Sequence, residues 1–143
     1  MSDTRERVKI LLLDIKQDTQ RYDGLTALLQ QQREAMIAGN ADALQQINAA
    51  LLPLYQQLND AALRRSDILQ ALKLASDSQG ITQLLRYLPV PLAQQVESWW
   101  RTLEINAREC QQLNARNGVL LTMQQETLES LTGAPSRTFV YSR

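Results

Sequence analysis

The carboxylate pairs Asp14 with Asp18 and Glu126 with Glu129 are the arrangements in this chain that most resemble catalytic machinery. Each pair has the three- or four-residue spacing that brings side chains together on one helix face. Two neighbouring carboxylates can share a proton or hold a cation. Here solvated charge on a helix surface accounts for both pairs. The chain has no histidine and a single cysteine, Cys110. That excludes a Ser-His-Asp triad, an imidazole zinc site, the Glu-x-x-His pattern of di-metal bundles and an internal disulfide. Cys110 lies on an apolar helical stripe and is expected to be a small buried hydrophobe. The isolated glycines form no phosphate-binding loop. Neither enzymatic activity nor a cofactor is expected.

The stretch Leu113-Asn114-Ala115-Arg116-Asn117-Gly118-Val119-Leu120-Leu121 invites a different chemistry. It sets two asparagines and a glycine inside a long helical pattern, where glycine costs about 0.5–1 kcal/mol relative to alanine. Asparagine is also a poor interior residue, because its amide competes for backbone groups. Close approach of another helix would explain all three. Around them the apolar stripe degrades, with Asn106, Asn117, Gln124 and Thr127 in stripe positions and Leu121, Met123 and Leu128 beside it. We therefore expect a groove or face for a partner helix, lined by Leu113, Asn117, Leu120, Leu121, Gln124 and Leu128. Gly118 would admit a backbone, and Asn114 and Asn117 would hydrogen-bond across the contact. In the alternative, Asn117 fixes register within the chain and Gly118 packs on the second helix.

Three helical patterns must position these residues. The first runs from about Thr4 to Ala38, with Asp3 and Glu6 spaced as a capping box. Its stripe is Val8, Leu11, Ile15, Tyr22, Leu25, Leu29 and Met36, interrupted by Asp18 and Gln32. Gly39 then suits a left-handed stop and Asn40 an N-cap, a joint short enough for an antiparallel hairpin. The second pattern spans Ala41 to about Leu74. Pro53 lies inside it, removes one backbone donor and clashes with the carbonyl four residues back, so a kink near Ala49–Pro53 is expected. The alternative is two helices broken at Pro53, against which the stripe keeps its phase. A loop over Ala75 to Gly80 leads to a short helix from Ile81 to Leu88, ended by Pro89. Pro91 opens a third long helix that carries Leu92, Val96, Trp99, Leu103, Cys110, Leu113, Leu120 and Leu131. Trp99 should be core, and Trp100 should flank it against the short helix, with an exposed binding role for Trp100 as the alternative.

The fold class expected is all-α: an elongated antiparallel bundle of three long helices, a short connecting helix and a flexible C-terminal tail. Residues 1–132 would form the helical domain and residues 133–143 the tail. Fifteen basic and fifteen acidic residues balance to zero, which offers no attraction for nucleic acid. No apolar run approaches the ~20 residues of a membrane span. The first seven residues lead directly into an amphipathic pattern rather than a secretory leader, so a cytoplasmic location is expected.

The segment Leu113-x-x-x-Asn117-Gly118-x-Leu120-Leu121, preceded by Asn114 and followed by Gln124 and Leu128, resembles the FlgN-type flagellar export chaperones. The order of a long hairpin, a short Pro-punctuated segment, a last long helix and a tail is similar as well. In that family a tail tyrosine is often followed a few residues later by glycine, whereas Tyr141 is followed only by Ser142 and Arg143. The resemblance implies a cytoplasmic chaperone that binds the C-terminal amphipathic segment of hook-filament junction proteins. It would prevent their premature assembly and deliver them to export apparatus components. It also implies binding residues in the last helix and tail: Leu113, Asn114, Asn117, Gly118, Leu120, Leu121, Gln124, Leu128, Leu131 and Tyr141. Such a protein should be mostly monomeric, with at most weak self-association. A structural coiled-coil adaptor, working by self-association, is the competing expectation.

Overall fold

The computed structural model describes residues 2–132, all in helices or short connections; the side chains of Ser2, Leu128, Leu131 and Thr132 are outside the description. The expected tail, with Tyr141, lies outside the described residues. Four helices follow one another: α1 (Ser2–Ala38), α2 (Ala41–Ala71), α3 (Ser78–Leu85) and α4 (Val90–Thr132). At 43 residues, α4 is about 65 Å long at 1.5 Å per residue.

The α1–α2 joint follows from two residues. Gly39 takes φ +66, open to glycine at little steric cost, and the Asn40 N–H returns to the Ala35 carbonyl. The Asn40 side chain then accepts a hydrogen bond from the Ala43 N–H and starts α2. Helix α2 passes unbroken through Pro53, so it is one helix rather than two. Ala49 and Pro53 are both exposed, which places the ladder bond that proline removes beside water.

Several boundaries differ from expectation, α4 among them, which starts at Val90 rather than Pro91. Asp3 sits within the first turn of α1 rather than capping it, where its charge complements the helix dipole. Helix α2 stops at Ala71 instead of Leu74: Lys73 adopts φ 61 and the Leu74 N–H bonds back to the Leu69 carbonyl. Helix α3 begins at Ser78, not Ile81, because Asp77 accepts from the N–H groups of Gln79 and Gly80. It ends at Leu85 rather than Leu88, where the N–H groups of Arg86, Tyr87 and Leu88 turn back to the carbonyls three residues before them.

Helix α1 is the hub. Helices α2 and α4 each pack along it, whereas α2 and α4 scarcely approach one another through their backbones. The pairs Asp14–Arg64 and Gln32–Asn48 show that α2 runs antiparallel to α1. Helix α4 runs parallel to α1, at a separation of 88 residues that recurs from Tyr22–Cys110 to Leu29–Asn117 to Met36–Gln124. Two apolar clusters form along this axis. One joins Leu11, Ile15, Leu69, Ile81, Leu84, Val96 and Leu103, with Trp99 and Trp100 at its margin. The other joins Leu25, Leu29, Leu51, Leu58 and Cys110. Burying a leucine in either contributes about 1.5–3 kcal/mol.

Candidate partner-binding face on the last helix

Of the two carboxylate pairs, Glu126 is exposed and Glu129 half-buried, whereas Asp14 and Asp18 are enclosed and held in ion pairs. Asp14 is 5% exposed and Asp18 1%. Asp14 accepts two bonds from the Arg64 guanidinium, at 2.9 and 3.0 Å. Asp18 accepts one from Arg21 at 2.6 Å and one from Arg65 at 2.7 Å. The expectation of solvated charge is thus corrected, since both residues sit on the side of α1 that α2 covers. Arg65 also lies over the Trp100 ring, 5.4 Å from its centroid, so this ion pair ties α1, α2 and α4 together. Lys16 caps the Trp99 ring in the same way at 5.7 Å. Both indoles are half-buried and belong to the first cluster.

Cys110 is buried, with its sulfur 3.2 Å from the Thr26 hydroxyl and donating to the Tyr22 carbonyl at 3.8 Å. Burial pushes its thiol above the ordinary value, as it does the Tyr22 phenol, which also feels the Asp18 charge. A protonated, enclosed thiol of this kind is inert as a nucleophile.

Cys110 is also the first rung of a ladder. Seven residues on, Asn117 donates through Nδ2 to the Leu29 carbonyl at 2.8 Å and to Gln32 Oε1 at 2.9 Å. Seven further, Gln124 donates through Nε2 to the Met36 carbonyl at 2.7 Å. A seven-residue step on both helices keeps one seam in phase. Asn117, 3% exposed, therefore belongs to the seam within the chain, and its amide does not reach outward as the groove reading required. Its Oδ1 is buried without a hydrogen-bond partner. The same holds for Gln124: its amide is committed to the end of α1, though the residue itself is exposed.

The other candidate residues divide by helical phase. Leu113 packs half-buried against the second cluster, and Asn114, Leu120 and Leu121 are half-buried. Gly118 faces open space: a Cβ placed there would meet nothing within 4 Å. It does not pack on α2, so the close contact that could explain a glycine here is absent within the described chain. Beside it, Val119 is 61% and Met123 58% exposed, four residues apart on the outer side of α4. Val119 was not apparent from the sequence, because its place opposite the seam shows only once Asn117 is known to face α1. Leu128 and Leu131 fall within α4, but their side chains lie outside the described residues, as does Tyr141.

No group of three metal-ligating side chains gathers among the described residues, and no helix there is long and apolar enough to cross a membrane. Along the distal half of α4 the Asn117 and Gln124 amides close a seam against α1, while Val119 and Met123 stand outside it. The family model described as FlgN protein matches residues 2–142, and the chain belongs to that family. The family is one of flagellar export chaperones rather than enzymes. No curated protein and no solved structure shows significant similarity to the chain.

Proposed function

We propose that this chain is a cytoplasmic export chaperone that binds the C-terminal amphipathic segment of hook-filament junction proteins. Residues 1–132 serve as the binding unit, and residues 133–143 as its tail. The observation that carries this reading is the apolar strip of Val119 and Met123 on the outer side of α4, next to the open surface at Gly118. An amphipathic helix laid along that strip buries apolar area on both partners, and the missing Cβ lets its backbone come near. Leu113, Leu120 and Leu121 are covered only in part and lie toward the seam with α1 rather than on the strip itself. Leu128, Leu131 and Tyr141 complete the proposed set of contact residues. The Asn117 and Gln124 amides hold the helix in the phase that presents it, and Asn114 and Gly118 belong to the proposed contact residues. Binding of this kind orders a segment disordered beforehand, which keeps the complex releasable to export apparatus components.

The test is Val119→Ser with Met123→Ser, assayed by calorimetry against the C-terminal segment of a junction protein. Loss of about tenfold or more in affinity with an unchanged melting temperature is expected, since each site loses roughly 1 kcal/mol of apolar contact. Unchanged affinity would refute the site. The adaptor reading is separated by light scattering at micromolar concentration: a stable dimer of the chain alone favours the adaptor, a monomer that forms a one-to-one complex the chaperone.

A further inference from the structure

The two halves of α4 are attached to α1 by different chemistry. Up to Cys110, α4 contributes the buried side chains Val96, Leu103 and Cys110, and the half-buried Leu92, Trp99 and Trp100 add to the same contact. Arg65 pins Trp100 to Asp18 there as well. Past Cys110, Asn117 is the one fully buried side chain among those described, and it is polar. The Asn117 and Gln124 bonds across to α1 end on the Leu29 and Met36 carbonyls and on Gln32, and the half-buried Leu113 adds an apolar contact to the second cluster. The Leu29 carbonyl lies within α1 and has a helical acceptor role of its own, so it loses little when the amide leaves. Asn117 Oδ1 is buried and unpaired, and lifting the helix would return it to water. Asn114, Asn117 and Gly118 also weaken the helix over these same turns.

We propose that the distal part of α4, residues 111–132, separates from α1 as one cooperative unit, hinged near Cys110, while residues 90–110 stay docked. This is a release device built into the seam, and it concerns α4 and α1 alone, so it stands or falls apart from the identity of any partner. On the chaperone reading, the lifted helix offers Leu113, Leu120 and Leu121 in addition to the outer strip.

Hydrogen exchange of the full chain, read by mass spectrometry on peptides covering 94–109 and 111–125, tests the device. The wild type should show a step in protection near Cys110, with the distal peptides exchanging together. Asn117→Leu fills the seam with an apolar side chain and should slow distal exchange by about tenfold or more, leaving the proximal peptides unaltered. Gln124→Ala removes a tie and should speed distal exchange alone, which keeps the test open if the leucine variant misfolds. A smooth gradient confined to the final turns indicates ordinary fraying and overturns the proposal. Equal protection along α4, or exchange indifferent to both substitutions, overturns it too.

Discussion

Removing the Asp18 carboxylate leaves the Arg21 and Arg65 guanidinium groups without their counter-charge at a site where Asp18 is 1% exposed. Asp18→Ala should therefore cost about 3–5 kcal/mol in urea denaturation, the range for breaking a buried pair from one side. The surface pair Glu97–Arg101 offers the contrast. Glu97→Ala should change stability by no more than about 0.5 kcal/mol, because water screens both charges. Equal effects of the two substitutions would refute this account of the Asp18 site. At this scale the sequence was legible only in outline. Asp18, Gln32 and Asn117 stand out as polar residues on apolar stripes, yet nothing local says what they meet. Asp18 meets Arg21 three residues on, but Arg65 lies 47 residues from it, Asn48 lies 16 from Gln32 and the Leu29 carbonyl 88 from Asn117. A polar interruption therefore reads equally as a surface charge, a seam bond or a binding group. The groove reading assigned Asn117 to a visitor for this reason.

Among the elements, the ends were legible where the residue itself punctuates the chain. Gly39 and Asn40 mark the first joint by type, and the structure uses both as their chemistry suggests. The end of α2 carries no such sign. Lys73 occupies the left-handed conformation that glycine or asparagine would normally take, which costs a residue with a Cβ about 1–2 kcal/mol. Lys73→Gly should accordingly raise stability by about 0.5–1 kcal/mol after the added freedom of the unfolded chain is set against it, seen as a higher urea midpoint. A fall in midpoint would mean that the Lys73 side chain contributes more than its backbone conformation costs. The sequence pattern puts Gly80 in a loop, but it lies buried in α3, where a Cβ would collide with the Ala75 carbonyl oxygen. The glycine permits α3 to lie directly on the linker that precedes it. That contact depends on a three-dimensional return of the chain, so periodicity could not reveal it.

Across the whole molecule, the all-α class and the order of helices followed from three stripes of similar length that must cover one another. The unequal contacts did not, since stripe width says little about which helix serves as the hub. Trp99 and Trp100 are the chain's two tryptophans, and both report on the end where α3, Lys16 and Arg65 gather. Indole emission is therefore a thermometer for that end and blind to the far one. On heating, far-ultraviolet dichroism, which averages every turn, should begin to decline several degrees before tryptophan emission shifts. Superimposed curves would show that the rod melts as a single piece. An optical assay that follows tryptophan alone would miss a partner that touches only the far end of α4, and would score genuine capture as silence.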